Sequence, residues 1–151
     1  MGVHLERLHP SDWQRWIELI IAARGLQAAN SFSKDFVQLK LRDPSRRAWA
    51  ATDGSIDVGI VNSTIGGTAI DIGTLFVKKS HRDHGIGSDL LTCVEKWAEE
   101  RGRLFLETSV DLKIENPDKV VAWLGSKGFE EISSGTNFIG LKKQTVEEGS
   151  E

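Results

Sequence analysis

The chain has 151 residues, the length of about one domain, and a formal net charge of −3 at pH 7. Lys and Arg number 19 against 22 Asp and Glu, so the composition indicates neither a basic field for nucleic acid nor an acidic surface for a basic partner. The single cysteine excludes an internal disulfide and a cysteine zinc cluster, and no apolar run reaches the roughly 18 residues of a membrane span. We therefore expect a cytoplasmic protein that contacts neither nucleic acid nor a membrane.

The N-terminal third of the chain predicts one strand and two helices. Residues 3–8 alternate apolar and polar side chains as a half-buried strand does, whereas residues 12–24 and 33–41 place apolar residues at helical spacing. Ser11 is followed three residues later by Gln14, which predicts a capping box at the start of the first helix.

Three side chains of these helices have predicted roles. Trp13 and Trp16 belong to the apolar face of the first helix, and aromatic residues at helical spacing are more often part of a core than of a binding site. We expect both in the core, with the lining of a ligand pocket as the alternative. Ser33 is expected to cap the second helix.

The middle of the chain predicts an antiparallel meander. Asp53-Gly54 is a hairpin turn signal, and Gly66-Gly67 closes a second turn that begins at Asn62. Consecutive strands with short connections pair most simply with their neighbours in antiparallel orientation. The predicted strands are residues 47–51, 56–60 and 68–78.

The C-terminal half predicts two more helices and three strands. The segment from the loop after residue 78 to Gly102 has one apolar stripe, and residues 103–110 form a strand with an apolar start, typical of a central position. A strand–helix–strand step of this length predicts a parallel pair with strand 68–78. Asn116-Pro117 is expected to begin the last helix, with Asn116 as its cap. Strands over 129–132 and 137–141 end a single predicted domain of residues 1–143, and residues 144–151 are predicted to be a disordered tail.

A glycine-containing turn with basic residues joins strand 68–78 to the following helix. Residues 82–87, Arg-Asp-His-Gly-Ile-Gly, fit the pattern R-x-x-G-x-G, with Lys78 and Lys79 before them. The first N–H groups of a helix have no intrahelical partner and the helix dipole favours negative charge there, so the turn predicts a site for a phosphate-bearing ligand. It is not a dinucleotide fingerprint, because Leu90 occupies the third glycine position, and no P-loop Gly-Lys-Ser/Thr follows.

Four short motifs follow one another in a fixed order over residues 68–141. They are Leu75-Phe76-Val77, Arg82-x-x-Gly85-x-Gly87-Ser88, Leu106-Glu107-Thr108 and Lys127-Gly128-Phe129. Their order resembles the GNAT superfamily of acetyl-CoA-dependent N-acetyltransferases. The resemblance implies an α/β (α+β) fold with a mixed, mostly antiparallel central sheet, a splayed parallel pair and helices on both faces. It also implies transfer of an acetyl group from acetyl-CoA to a primary amine by direct attack in a ternary complex.

The resemblance assigns cofactor contacts to the strand and to the turn. The backbone of Phe76 and Val77 would pair with the pantetheine arm, and Asn116 is a further expected contact. Backbone N–H groups of the turn, with the Ser88 hydroxyl as an extra donor, would cradle the pyrophosphate. The predicted cradle consists of Arg82, Asp83, His84, Gly85, Ile86, Gly87 and Ser88. The remaining phosphate would meet one of Lys78, Lys79 and His84.

Two carboxylates are candidates for the base that the implied reaction needs, since an alkyl ammonium is protonated at neutral pH. Asp71 lies six residues before Val77, which resembles the position of the strand carboxylate that serves as base in some histone-modifying members of the family. Its neighbours Ile70 and Ile72 are apolar, so partial desolvation is expected to raise its pKa. Glu107, on the predicted parallel partner strand, is the alternative base.

The family's usual acid, a tyrosine four residues before the closing Gly-Phe, has no counterpart in this chain. Leu124 occupies that position, and the sequence contains no tyrosine. Either the thiolate leaves without help, or Ser126 or water supplies the proton, or the protein binds acyl-CoA without efficient turnover. The last reading makes a non-catalytic or weakly catalytic acyl-CoA-binding module the alternative function. A binder of another phosphorylated nucleotide is a third, more distant alternative.

The sequence gives less information about the partners and about the remaining reactive side chains. The acceptor is expected to be a small-molecule or protein amine, and a homodimer is a further expectation because family members are often dimers. His81 and His84 lack further ligands at metal spacing, so no metal site is expected. Cys93 is expected to be a structural thiol and not a covalent nucleophile.

Overall fold

The structure, a computed structural model, describes residues 2–145. Over that range the chain forms seven strands, four α-helices and short 3-10 turns at Pro10–Asp12, Leu26–Ser31 and Lys79–His81. The strands are β1 (Val3–Arg7), β2 (Arg46–Asp53), β3 (Ile56–Gly66), β4 (Ala69–Val77), β5 (Phe105–Asp111), β6 (Glu130–Ser134) and β7 (Phe138–Gln144). The helices are α1 (Trp13–Arg24), α2 (Lys34–Arg42), α3 (Ile86–Glu100) and α4 (Pro117–Ser126).

The strands form one mixed sheet in the order β1-β2-β3-β4-β5-β7-β6. The β4–β5 pair is parallel, with Ala69–Ile72 in register with Phe105–Thr108. The pairs β1–β2, β2–β3, β5–β7 and β6–β7 are antiparallel. The predicted fold class, a mostly antiparallel sheet with one parallel pair and accompanying helices, is confirmed. The parallel register covers only the first part of β4, which continues to Val77.

The chain divides by proximity of its Cα atoms into two compact units. Of the described residues, the first unit contains 2–64 together with 74–94, and the second contains 65–73 together with 95–145. The sequence-based expectation of a single domain over residues 1–143 stays a prediction.

Helices α1 and α2 of the first unit bury their apolar faces in a core shared with β2 and β3. Each fully buried aliphatic side chain in such a core contributes about 1.5–3 kcal/mol. Trp16 is 5% exposed and donates its Nε1–H to Asn62 Oδ1 at 2.8 Å, which confirms its predicted core position. Trp13 is partly buried against the same cluster. This core cluster consists of Leu8, Trp16, Leu19, Ile20, Val37, Ala48, Ala50 and Ile60.

The second unit buries apolar side chains from β5, β7, α4 and the last turns of α3. Lys143 on β7 forms an ion pair with Glu95 on α3, and this ion pair links the strand to the helix. The edge strand β6 is exposed along its whole length. The buried apolar residues of this unit include Trp97, Ala98, Leu106, Val110, Leu124, Phe129 and Leu141.

The predicted capping box at the start of α1 is wrong. The chain enters α1 through the 3-10 turn Pro10–Asp12, and the His9 N–H donates to Asp12 Oδ2 at 2.9 Å. The cap therefore lies two residues earlier than predicted, with His9 and Asp12 in the positions expected for Ser11 and Gln14. The Ser33 cap of α2 is confirmed, since its hydroxyl oxygen accepts the Phe36 N–H at 3.2 Å.

The predicted turn beginning at Asn62 is also wrong, because β3 continues to Gly66. Polar residues suggested a turn, but their side chains find partners within the sheet and on α1. Asn62 accepts the Trp16 indole N–H, and the Ser63 hydroxyl donates to the Arg47 carbonyl at 2.9 Å. Satisfied polar groups of this kind can remain in a buried strand.

Two corrections concern the C-terminal half. Pro117 is the first residue of α4 as predicted, but Asn116 adopts a left-handed conformation (φ 54°) and its side chain makes no capping hydrogen bond. Gln144 belongs to β7, opposite Phe105, so the predicted tail does not begin there. The Thr145 N–H donates to the Leu104 carbonyl at 2.8 Å, and the rest of the predicted tail lies outside the described residues.

Candidate functional site

The turn after β4 changes backbone direction through two residues with positive φ. Asp83 has φ 67° and Gly85 has φ 81°, and α3 starts at Ile86. Glycine adopts this region without a Cβ penalty, and aspartate is among the few other residues that tolerate it. Residues of left-handed conformation in a turn can direct neighbouring N–H groups toward one side, where they can bind an anion.

The N–H groups of this turn donate to no acceptor within residues 2–145. The Asp89 N–H donates to the Gly85 carbonyl at 3.0 Å, which is the first hydrogen bond of α3. Among the hydrogen bonds of residues 2–145, none has an N–H of Asp83 through Ser88 as its donor. The first-turn amides of a helix and its dipole together suit an anion, so the sequence-predicted stretch 83–88 offers a coherent set of donors.

Arg82 turns its side chain back onto β4. Its Nε–H donates to the Val77 carbonyl at 2.8 Å, and the guanidinium carbon lies 5.8 Å from the centre of the Phe76 ring. The Arg82 backbone N–H is directed at the Lys79 carbonyl at 3.4 Å. Arg82 therefore holds the end of the strand against the turn, and its side chain does not extend toward the free amides.

Two further contacts, which the sequence did not single out, anchor the turn to the β2–β3 hairpin. His81 Nε2 lies 2.9 Å from Asp53 Oδ2, while its Nδ1 lies 2.8 Å from the Ser80 hydroxyl. The Lys78 N–H donates to the Val58 carbonyl at 2.8 Å. These contacts join residues far apart in the chain, so no local pattern could have identified them.

Gly59 on β3 permits a close backbone approach beside this turn. A Cβ at Gly59 would lie 3.0 Å from the Phe76 carbonyl oxygen and 3.3 Å from Leu90 Cδ1. Only glycine fits this distance without displacing β4 or α3. A glycine inside a strand pattern is the one sequence signal that could have indicated the approach.

The two candidate bases are register partners on the parallel pair. Asp71 on β4 stands opposite Glu107 on β5, and Glu107 stands opposite Lys142 on β7. Lys142 Nζ lies 3.8 Å from Glu107 Oε1 and 3.9 Å from the centre of the Phe105 ring. Partial burial of its carboxyl, and then the negative charge of Glu107, raise the pKa of Asp71. The predicted direction of the Asp71 pKa shift is confirmed, although the residue as a whole remains exposed.

A model of the acetyltransferase (GNAT) family matches residues 11–116, more than half of the chain. The chain belongs to the GNAT acetyltransferase family. The resemblance inferred from residues 68–141 is thereby confirmed, and the match also takes in α1 and α2. No curated protein matches the chain by sequence.

Solved structures of GNAT proteins share this fold at low sequence identity. PaiA N-acetyltransferase from Thermoplasma acidophilum, in complex with coenzyme A, superposes with a TM-score of 0.74 at 16% identity, covering 95% of this chain and 99% of that one. An aminoglycoside acetyltransferase from an uncultured soil metagenomic sample has a TM-score of 0.78 at 19% identity, covering 89% and 96%. The ribosomal-protein-S18-alanine N-acetyltransferase of Escherichia coli has a TM-score of 0.77 at 14% identity, covering 99% and 97%. At these identities the likeness shows the fold.

The residues discussed for the missing GNAT tyrosine lie on α4. Leu124 is buried, with 5% of its surface exposed. The Ser126 hydroxyl, one suggested substitute, donates to the Trp123 carbonyl of its own helix at 2.6 Å. Asn116 precedes this helix, and its carbonyl oxygen accepts the Lys119 N–H at 3.1 Å. Leu124 therefore offers no proton donor, and the Ser126 hydroxyl is engaged within its own helix.

Within residues 2–145, no group of three or more His, Cys, Asp and Glu side chains is arranged to hold a metal ion. No helix in the same range is long and apolar enough to cross a membrane.

Proposed function

We propose that this GNAT protein transfers an acetyl group from acetyl-CoA to a primary amine by direct attack in a ternary complex. Family membership supports acyltransferase activity, and a family neighbour has coenzyme A bound. The observation that carries the proposal is the set of amides from Asp83 through Ser88, which stand at the start of α3 and donate to no acceptor in the described part of the chain. Such a set suits a pyrophosphate, which acetyl-CoA carries.

The proposed cofactor site continues from this turn along β4. Residues 74–77 lie beyond the last registered pair of β4 with β5, so their backbone can pair with a pantetheine arm as an added strand does. Phe76 would contribute on that edge, whereas the Val77 carbonyl is already engaged by Arg82. Lys78, Lys79 or His84 would meet the remaining phosphate, and the Ser88 hydroxyl and Asn116 are additional proposed contacts.

Asp71 is the proposed general base. It would take a proton from the acceptor ammonium, directly or through water, and the freed amine nitrogen would attack the thioester carbonyl. The new C–N bond forms as the C–S bond breaks, and the second proton of the attacking nitrogen passes to the departing thiolate. A raised pKa brings a carboxylate closer to the proton affinity that this transfer needs. Glu107 is the alternative base.

A non-catalytic acyl-CoA-binding module is the second candidate function. The observation in its favour is the absence of tyrosine from the sequence, together with the buried Leu124 where the family acid would stand. A protein of this kind would keep the amide-lined turn and lack efficient turnover.

Release of free CoA thiol from acetyl-CoA in the presence of a broad amine panel tests the proposal. Amine-dependent release, with the acetylated amine identified by mass spectrometry, is the expected result. The panel includes aminoglycosides and peptides with free N-termini, because structurally similar proteins are named for such acceptors. CoA binding without any amine-stimulated release would support the second candidate instead.

A further inference from the structure

Lys40 on α2 is enclosed by aromatic rings of the first unit. Its ammonium nitrogen lies 4.9 Å from the centre of the Phe36 ring and 5.8 Å from the centres of the Trp16 and Phe32 rings. Trp16 and Phe32 meet edge to face at 5.0 Å, and Phe32 and Phe36 are stacked at 6.0 Å. The rings form a packed wall, and the half-buried ammonium lies against their faces.

Two arginine side chains, Arg46 and Arg24, place positive charge near Lys40. Burial, then the positive charges of Arg46 and Arg24, lower the pKa of Lys40. The nearest acid in sequence, Asp43, is engaged elsewhere: it accepts hydrogen bonds from the Ser45 backbone and hydroxyl and lies 3.6 Å from Arg46 Nε. Among the described residues, no hydrogen bond or carboxylate ion pair is found for the Lys40 ammonium. A positive group in this setting is stabilised by an incoming anion.

This basic cluster is connected to the strand proposed to hold the pantetheine arm. Arg24 Nη2 donates to the Thr74 hydroxyl on β4 at 2.7 Å. Phe76, two residues further along β4, packs against the same apolar core cluster as Phe32. Arg24, whose positive charge acts on Lys40, therefore links the surroundings of Lys40 to the segment of β4 proposed to hold the pantetheine arm.

We propose that Lys40, with Arg24 and Arg46, binds an anionic group, a carboxylate or phosphate, on the acceptor. The inference rests on the proposed acetyltransferase function and narrows the acceptor to an amine that also carries a negative charge. A second cation is disfavoured here, because the ring faces already contact the Lys40 ammonium and two guanidinium groups add like charge.

Acceptors of matched length and different charge test the proposal. 4-Aminobutanoate, 4-aminobutanamide and 1,4-diaminobutane offer the same amine with an anionic, a neutral and a cationic far end. We expect kcat/KM to favour the anion over the amide by about tenfold or more, the usual worth of one charge-assisted hydrogen bond. Lys40→Met retains an apolar stem against the rings. In this variant the ratio of kcat/KM for the anion to kcat/KM for the amide should fall to about one.

Lys34→Met is the matched control. Lys34 is also on α2 and its ammonium lies 5.5 Å from the Trp13 ring centre, but it is exposed and outside the basic cluster. This variant should keep the wild-type preference for the anion. An anion-to-amide ratio unchanged in Lys40→Met, or a wild-type preference for 1,4-diaminobutane, would overturn the proposal.

A binding measurement separates this inference from the proposed function. Inorganic phosphate should raise the Tm of the wild type and the Tm of Lys34→Met by equal amounts. It should raise the Tm of Lys40→Met by less. Phosphate bound at the turn after β4 contributes the same increase to all three proteins, so the difference reports the site at Lys40. If no amine is acetylated but this Lys40-dependent shift is found, the acetyltransferase proposal fails and the anion site stands. If amines are acetylated regardless of charge and the three Tm shifts are equal, the anion site fails and the function stands.

Discussion

Asp71 and Glu107 differ in what surrounds their carboxylates, although they are register partners. Glu107 has a cation, Lys142, at 3.8 Å. Asp71 has neither an ion pair nor a hydrogen bond among the described residues, and its pKa is raised by burial and by Glu107. A carboxylate that no cation holds in its charged form is better suited to accept a proton. This contrast is the physical reason to prefer Asp71 as base.

Replacement of Asp71 should therefore remove the base without removing the cofactor site. Asp71→Asn is expected to lower kcat by about 10²-fold or more, the usual contribution of a positioned base, and to leave CoA affinity near the wild-type value. Thiol release and calorimetric titration with CoA measure the two quantities. Glu131→Gln, which changes an exposed carboxylate of β6, is the control and should match the wild type. A wild-type pH–rate profile in Asp71→Asn would exclude Asp71 as the base.

Glu107→Gln should shift the pH dependence. Its negative charge is one cause of the raised Asp71 pKa, so its removal lowers that pKa. The base works when deprotonated, and activity falls as the pH drops through the pKa of Asp71. The acidic limb of kcat/KM against pH should therefore move to lower pH in this variant. Loss of activity at every pH would instead identify Glu107 as the base.

At the scale of elements, β4 combines two predicted roles on one strand. Its first part carries Asp71 and pairs with β5, and its last part leads into the turn with free amides. The alternation and length of β4 follow from its local sequence, which is why the strand was predicted within one residue at each end. The turn after β4 also depends on local sequence, because Gly85 and the start of an amphipathic pattern are both visible there. The structure gives this glycine a positive φ.

A bulky acid in the first turn of α3 should abolish cofactor binding and leave the fold intact. Gly87→Glu places a negative side chain where the proposed pyrophosphate lies, whereas acidic residues in a first helical turn are otherwise favourable for the helix. Calorimetry should detect no CoA binding, and the far-ultraviolet circular dichroism spectrum should match the wild type. Gly87→Ala, which adds a methyl group and no charge, should weaken CoA binding far less. Wild-type affinity in Gly87→Glu would contradict the cradle.

Arg15 on α1 ties that helix to two strands and is expected to matter for stability. It forms a two-point contact with Asp57 on β3 (2.9 and 2.8 Å) and pairs with Glu6 on β1 and with Asp12. Arg15→Met leaves these carboxylates without their shared cation. We expect a loss of about 1–2 kcal/mol in the free energy of unfolding at pH 7. This loss lies between that expected for an exposed ion pair and that expected for a buried one, because solvent partly screens the cluster.

The sign of the pH dependence follows from Asp57. Hydrogen bonding by Arg15 holds the pKa of Asp57 below its usual value. The stabilisation is therefore complete above the ordinary aspartate pKa of about 4 and is lost as the pH falls through the lowered one. Urea unfolding should show the Arg15→Met deficit shrinking below pH 4. Arg46→Met, which removes a more exposed pair with Asp43, should change stability much less. Equal losses in both variants, or a deficit independent of pH, would refute this account.

At the scale of the whole molecule, the sequence predicted what depends on local pattern and missed what depends on distant partners. The parallel pair followed from the strand–helix–strand spacing. By contrast, β3 extends through Asn62 because α1 supplies the Trp16 indole, and the turn after β4 is anchored by Asp53, which is 28 residues before His81. The aromatic surroundings of Lys40 likewise require α1 and α2 to pack together. None of these contacts has a signature within a short window of sequence.

A ligand that binds only the folded chain must stabilise the whole chain, so CoA should raise the Tm if the proposed site is correct. At a concentration 100 times its Kd, the gain is about 2.7 kcal/mol, or roughly 5–10 °C for a chain of this size. Differential scanning fluorimetry should detect this shift in the wild type and in Asp71→Asn, but not in Gly87→Glu. ATP and NAD at the same concentration should produce a much smaller shift. A shift with ATP or NAD and none with CoA would assign the turn after β4 to another nucleotide and remove the basis for acetyl transfer.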